Sequence, residues 1–272
     1  MPASVNIYKF DLDFTETYSK FYFCYNNKKI DNIVCILSGL EAKDMNYEYP
    51  DKNPNRAALF EKLKIQSEYV FAFKQVHSRN VVLLEKESKA LYKEADGIVS
   101  ACKKHCLSVT AADCLPVYLF DTVSGAFSVV HSGWRGTGIA INALNIMSNK
   151  FKTLPADTAV VLGPCIQSCC YEVDKDRSEI FEKEFGIDSG EYPLGSVVKT
   201  KEGSKEGSKV GSNEKKYFID MQAANAHILA KAGVKNIAVC NNCTYTDSRL
   251  GSYRRQGSAS YTKMAALIGY TG

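Results

Sequence analysis

Apolar positions along this chain fall into two kinds of pattern: short unbroken runs, and stretches with helical spacing. Residues 33–40 (IVCILSGL) are an unbroken run and predict a buried strand. Residues 55–66 (NRAALFEKLKIQ) place apolar side chains at helical spacing and predict a short helix. Residues 69–77 (YVFAFKQVH) and 80–85 (NVVLLE) read as consecutive strands joined tightly at His77-Ser78-Arg79. ADGIVS (95–100) reads as a short strand entered through Asp96-Gly97. Residues 106–120 carry a long strand pattern broken at Ala111–Cys114, and GAFSVVHSG (125–133) follows across a turn at Asp121–Gly125.

The character then changes. The glycine-rich segment Gly133-Trp134-Arg135-Gly136-Thr137-Gly138 opens a helix over IAINALNIMSNKFK, apolar at i, i+3, i+4 and i+7. AVVLGP (159–164) and NIAVCN (236–241) predict strands. Residues 171–185 and 219–233 predict helices stopped by Gly186 and Gly233. The final MAALIGY is apolar throughout and fits either a strand or a short helix. Strands alternate with helices but also follow one another directly. That order predicts an α/β (α+β) fold with mixed sheets in a single domain spanning 1–272. Residues 195–216 (GSVVKTKEGSKEGSKVGSNEKK) have too few apolar residues to offset the entropy of ordering, and are expected to be an exposed, mobile insertion. The functional alternative for that tract is a lid.

Composition narrows the classes. The chain has 272 residues, 45% hydrophobic and 24% charged, which suits a globular enzyme with a substantial core. A formal charge of +4 without a concentrated basic face does not support nucleic-acid binding. The longest apolar runs are far short of a membrane span. The start, MPASVNIYKFDLDF, lacks the pattern of a secretory signal, so a cytoplasmic location with reduced thiols is expected. Most of the ten cysteines then read as small buried hydrophobes.

Three residues stand apart. In TAADCLPVYLFDTVSGAFSVVHSGWRGT, Cys114 and His131 lie either side of a predicted strand-turn-strand, and His77 closes the run upstream. Each histidine alone reads equally well as a satisfied side chain at a strand edge. Converging, the three would offer a zinc or copper ion two imidazoles and a thiolate, with a coordination position left for water or substrate. Their intervals match no compact zinc-finger spacing, so only the fold could assemble such a site.

The motifs QVHS (75–78), ADGIVS (95–100), TAADCLPV (110–117), VVHSGWRGT (129–137), LGPCI (162–166) and SYRR (252–255) occur together in this order. This set resembles the YfiH family, labelled polyphenol oxidases or laccase-domain proteins and also purine nucleoside phosphorylases. Asn55-Arg56 resembles the family's Asn-Arg pair before the first helix. The resemblance covers roughly residues 55–270. It implies a layered α/β/β/α fold and an active-site triad of His77, Cys114 and His131 that binds zinc, with copper the alternative ion. It also implies phosphorolysis of adenosine, inosine, guanosine and methylthioadenosine, and deamination of adenosine, so that the partners are a purine nucleoside and phosphate. The chain departs from the family in reading GSASYTKMAALI after SYRR, in the 195–216 tract, and in its first 54 residues.

Within that frame the Trp134–Gly138 loop is an anion cradle at a helix N-terminus, and Arg135 adds a planar fork suited to phosphate. Trp134 either stacks on a purine or packs the loop against the core. Arg254 and Arg255 are further phosphate candidates or a surface pair. Asp113 either orients a histidine or caps a turn. Cys114 is a metal ligand or, beside His131, the nucleophile of a cysteine hydrolase, for which peptidoglycan precursors are the alternative substrate. The cytidine-deaminase pattern is absent, because neither His77 nor His131 begins H-x-E. Four histidines are too few for a multicopper centre. A non-enzymatic zinc module would use Cys240 and Cys243 with Cys165 and Cys169.

Overall fold

Strands that read as continuous apolar runs are buried on both faces, and they lie at the centre of the molecule. Leu115–Asp121 and Phe127–Ser132 are buried at every position. They pair antiparallel in the middle of a seven-stranded sheet. The architecture is that of a computed structural model, which describes residues 5–85, 94–186, 193–204 and 213–271. In spatial order the first sheet runs Asn6–Phe10, Asn236–Cys240, Thr158–Leu162, Leu115–Asp121, Phe127–Ser132, Gly97–Ser100 and Val81–Leu83. Its outer pairs are parallel and its central pairs antiparallel. A second sheet of six strands runs Phe14–Thr15, Tyr18–Phe21, Ile33–Ser38, Met264–Tyr270, Cys106–Ala111 and Val70–Phe71.

Side-chain alternation along each strand sorts the layers. From the central strand, Tyr118 and Phe120 point to the second sheet, where Ile33, Cys35, Leu107, Val109 and Ile268 meet them. Leu115, Val117 and Leu119 point the other way, onto helices α2 (Ile139–Phe151), α3 (Lys175–Phe185) and α4 (Met221–Lys231). The outer face of the second sheet, through Val34, Ile36, Ala265 and Leu267, is covered by Leu59 and Phe60 of α1 (Pro54–Leu63). The layering is therefore α/β/β/α with mixed sheets, as the resemblance implied. No helix among the described residues is long and apolar enough to cross a membrane.

Several expectations need correction. The run 69–77 contributes only Val70–Phe71 as strand, and in the second sheet, whereas Val81–Leu83 belongs to the first. The segment through His77 is thus a crossing between sheets, not a hairpin turn. The pattern 106–120 splits in the same way: Cys106–Ala111 lies in the second sheet and Leu115–Asp121 in the first. MAALIGY is a central strand, apolar on both sides because both its faces are covered. The helix expected from 171 begins at Lys175, since Glu172–Val173 pairs with Asn213–Ile219 and Asp174 caps the helix. Residues 195–216 are not a plain loop. Val198–Ser204 and Asn213–Ile219 form an antiparallel hairpin. Val197 is fully buried in the helix-side core, and Phe218 and Ile219 just past the tract supply buried apolar strand residues. Residues 205–212 of that tract lie outside the described residues.

Candidate active site

Two of the crossings between the sheets carry a candidate ligand, and each puts a non-glycine residue in the left-handed backbone region: His77 at φ 57° and Asp113, just before Cys114, at φ 83°. Such residues persist only where their surroundings hold them. For His77 the holder is Asp96, fully buried at the start of its strand. Its carboxylate accepts the amides of Val76 (3.2 Å), His77 (3.0 Å) and Ser78 (2.7 Å), and the Ser78 hydroxyl (2.8 Å). For Asp113 the holders are the Thr244 hydroxyl (2.6 Å) and the Arg254 amide (2.6 Å), which donate to its carboxylate, and the Ile166 amide, which donates to its carbonyl at 2.9 Å. Asp113 therefore bonds neither histidine. It anchors the 244–254 segment beside Cys114, a role between the two expected of it.

His131 is buried inside its strand, and its Nδ1 lies 2.9 Å from Asp96 Oδ1. The ring is fixed a second time, because the His131 amide donates to the Asp96 carbonyl at 2.6 Å. The rings of His77 and His131 stand 4.9 Å apart at 76°. One ligand atom from each of His77, Cys114 and His131 lies within 4.8 Å of the others. The structure thus brings these three side chains together. Gly133 permits it: a Cβ there would stand 3.1 Å from the Cys114 sulfur and 3.3 Å from His77 Cδ2.

The electrostatics follow from this packing. Burial would raise the Asp96 carboxyl, but hydrogen bonds from His131 and Ser78 outweigh it and hold the group at about 2. Burial also works against the Cys114 thiolate, yet the charge of His131 and hydrogen bonds from both histidines bring the thiol below its usual value. His131 moves up for the reciprocal reason: the charge of Cys114 and the Asp96 hydrogen bond overcome its burial. A thiolate flanked by imidazoles, one backed by a carboxylate at Nδ1, is a donor set that fits zinc or copper. With Nδ1 on Asp96, His131 keeps Nε2 for an ion held with Cys114 and His77.

Around this cluster stands a wall of rings and guanidinium groups. Trp134 is half-buried against the helix-side core, with Arg135 at 5.3 Å and Arg177 at 4.8 Å from its ring. Tyr171 is pushed up to about 12, first by burial and then by the charge of Cys114, with Arg177 and Arg254 pulling the other way. Arg254 donates through both guanidinium nitrogens to the Glu172 carbonyl at 3.1 Å, with its guanidinium 5.6 Å from the Tyr171 ring. Arg135 is exposed on the glycine-rich loop before α2. Arg255 instead donates to the carbonyls of Thr244, Tyr245, Asp247 and Leu250, a structural role. Asn55 donates to the Asp44 carbonyl at 2.9 Å. Arg56 is fully buried, paired with Asp51 at 2.6 Å and set between the rings of Tyr47 and Phe60. The contacts of Asn55 and Arg56 are with the 44–53 loop, the face of α1 and Ser108 of the second sheet, not with the triad. Sequence reasoning missed Asp96, Gly133, Tyr171 and Arg177. Asp-Gly reads as a turn, and the other contacts cross long stretches of chain.

Fold and cluster together define a class. The chain belongs to the family described as multi-copper polyphenol oxidoreductase laccase, whose pattern matches residues 50–271. The purine nucleoside phosphorylase of Borreliella burgdorferi is 30% identical over 198 residues, 72% of this chain and 79% of that protein. The purine nucleoside phosphorylase YlmD of Geobacillus stearothermophilus is 29% identical over 229 residues, 79% of this chain and 77% of that one. The crystal structure of YlmD superposes with a TM-score of 0.72 at 24% identity, covering 89% of this chain and 93% of that one. The hypothetical protein YfiH of Bacillus licheniformis gives 0.72 at 22% identity, covering 88% and 93%. The resemblance to the YfiH family therefore holds.

Proposed function

We propose that this protein is a zinc-dependent purine nucleoside phosphorylase that also deaminates adenosine. The observation that carries the reading is the convergence of His77, Cys114 and His131 within 4.8 Å, in a chain whose relatives are named purine nucleoside phosphorylases. Zinc on this donor set supplies Lewis-acid polarisation of a water or substrate oxygen. The chain's own residues do the rest. Asp96 fixes the ring of His131 and the turn that carries His77. Trp134 and Tyr171 offer faces to a purine ring. Arg135 and Arg254 bring positive charge to phosphate, and the glycine-rich loop presents the N-terminal end of α2. Phosphorolysis breaks the N-glycosidic bond as a phosphate oxygen bonds the anomeric carbon, and the purine leaves with the bonding electron pair. Asn55 and Arg56 we assign to holding the loop that packs on α1. The substrates are adenosine, inosine, guanosine and methylthioadenosine.

The test is a nucleoside panel with zinc-loaded protein, with and without phosphate. Free base formed only with phosphate, and inosine formed from adenosine without it, are expected. Cys114→Ser should lower both activities at least about a hundredfold, beyond what an outer-shell change costs. Arg135→Ala should slow phosphorolysis roughly thirty- to a hundredfold at limiting phosphate, on the order of 2–3 kcal/mol, and spare deamination, which needs no second anion. A wild-type protein that forms neither product sinks the reading. The same donors accept copper, which the family's description names. Metal analysis of the purified protein decides between the ions.

A further inference from the structure

Ten cysteines are more than the triad needs, and the structure gathers three of the others at one point. A sulfur from each of Cys169, Cys170 and Cys243 lies within 4.8 Å of the other two. Cys169 and Cys170 are consecutive in a turn, with their sulfurs 3.3 Å apart. Cys243 reaches them from the loop after Asn236–Cys240. The sequence pattern had suggested Cys165 and Cys240 as partners here. Both are fully buried as core side chains, and neither joins the cluster.

The two loops are fixed to each other independently of the sulfurs. Cys165 and Cys243 form a parallel bridge, and the Thr244 amide donates to the Cys165 carbonyl at 3.0 Å. Gln167 donates through its side chain to the carbonyls of Cys240 and Asn241. Its amide also donates to the Cys243 sulfur at 3.4 Å. That contact, with the nearby amides of Thr246 and Tyr245, favours its thiolate against the effect of burial. Lys199 donates to Ser168, the neighbour of Cys169, at 2.7 Å, and both meet the Asp220 carboxylate, at 3.3 and 2.9 Å. The three thiols grade from buried Cys243 through half-buried Cys170 to exposed Cys169, so the site opens to solvent on one side.

We propose that Cys169, Cys170 and Cys243 are a trithiolate site for a soft monovalent d10 metal ion, Cu(I), separate from the His77–Cys114–His131 centre. Thiolate donors select soft ions. Structural zinc takes four protein ligands, and among the described residues no fourth cysteine, histidine or carboxylate joins these three. Cu(I) is satisfied by three thiolates in a plane. Sulfurs at most 4.8 Å apart need to move only roughly half an ångström to reach metal–sulfur bonds near 2.3 Å. Binding displaces the thiol protons to solvent and leaves the oxidation state of copper and sulfur unchanged. The bound ion would tie the 165–171 turn to the 243–254 segment, the parts that supply Tyr171, Thr244 and Arg254 beside Asp113.

The test uses the full chain carrying Cys114→Ala, which removes the sulfur of the first site. Anaerobic titration with Cu(I) against a chromophoric Cu(I) chelator should show one equivalent bound, with an ultraviolet thiolate-to-copper band. Adding Cys169→Ser, a change at an exposed position that leaves the fold in place, should weaken that equivalent at least roughly a hundredfold. Cys243→Ser should do the same, and Cys102→Ser should change nothing. No bound equivalent in the Cys114→Ala protein overturns the proposal. So does binding that survives Cys169→Ser together with Cys170→Ser. A two-dalton mass loss linking Cys169 to Cys170 in the protein as purified, with no Cu(I) taken up after reduction, would make the pair a disulfide and also overturn it.

Discussion

Cys114, half-buried, and Cys243, buried, are thiols in separate loops, and the protein holds them by different means. Around Cys114 the work is done by a side chain at one remove. Asp96 gathers the amides of residues 76–78 and the ring of His131, and so places two histidines at once. Around Cys243 the Gln167 amide bonds the sulfur itself, and neighbouring peptide groups favour its thiolate. The first arrangement makes a cluster, open to solvent at His77 and buried at His131, whose geometry depends on one residue that is not itself a ligand. The second spreads the same task over several peptide groups, which truncating a side chain does not remove. The difference teaches where each site is vulnerable: the first to a single mutation outside its ligands, the second only to loss of the ligands.

The strongest way to break that comparison is Asp96→Asn. A buried acceptor of several N–H groups and a histidine would be replaced by one oxygen and a misplaced NH2. Removing one partner of such a buried pair costs on the order of 3–5 kcal/mol, and metal affinity at the triad should fall about ten- to a hundredfold. Urea denaturation and competitive metal titration measure the two effects. Unchanged values in both would mean that Asp96 does not organise the site. Thr244→Val comes next. It takes the donor from Asp113 Oδ1 and sits one residue from Cys243, so it touches both regions. A loss of about 1–3 kcal/mol is expected in thermal or urea unfolding, and a loss below a few tenths would show that the Arg254 amide alone suffices.

Gly133→Ala tests the packing of the triad without replacing any ligand. The added methyl meets the Cys114 sulfur and the His77 ring. Metal affinity should weaken roughly tenfold, about 1.4 kcal/mol, with the cysteine-only cluster unaffected. Equal weakening at both clusters would point to a general loss of packing. The smallest effect is expected from shortening the hairpin. Glu202 and Lys215 face each other across it, so residues 203–214 can give way to an Asn-Gly turn. Val197 and Phe218, which are buried, stay in place. Melting temperature should move by no more than about 2 °C, since surface changes of this kind stay within ±0.5 kcal/mol. Lost turnover with an intact fold would reveal a lid.

How far the sequence can be read depends on whether the physics is local. Helical spacing located α1, α2 and α4 closely, and unbroken apolar runs located Ile33–Ser38 and Thr158–Leu162. His77, Cys114 and His131 stood out because polar side chains able to bind metals interrupt those runs. Which sheet a strand joins was not legible. Val70–Phe71 and Val81–Leu83 carry the same kind of pattern, and only tertiary packing separates them. MAALIGY gave no period because both its faces are covered. The hairpin at 198–219 was hidden by the weak apolar content of its first strand, whose partner residues Tyr217 and Phe218 lie past the tract. Asp96 was visible only as a turn signal, since its five N–H and O–H donors come from residues 76–78 and 131. The thiol cluster differs from the CxxC pattern because burial in the strands removes Cys165 and Cys240.

His77 and Cys114 sit on two of the segments where the chain leaves one sheet for the other, while His131 is borne by a strand of the first sheet alone. No part of the chain smaller than the assembled sandwich contains the complete set. In the order of folding, the cluster can form only after the sheets have docked, and it should disappear when they separate. An ion held there therefore acts as a latch on that docking, adding its binding free energy to the last barrier against unfolding.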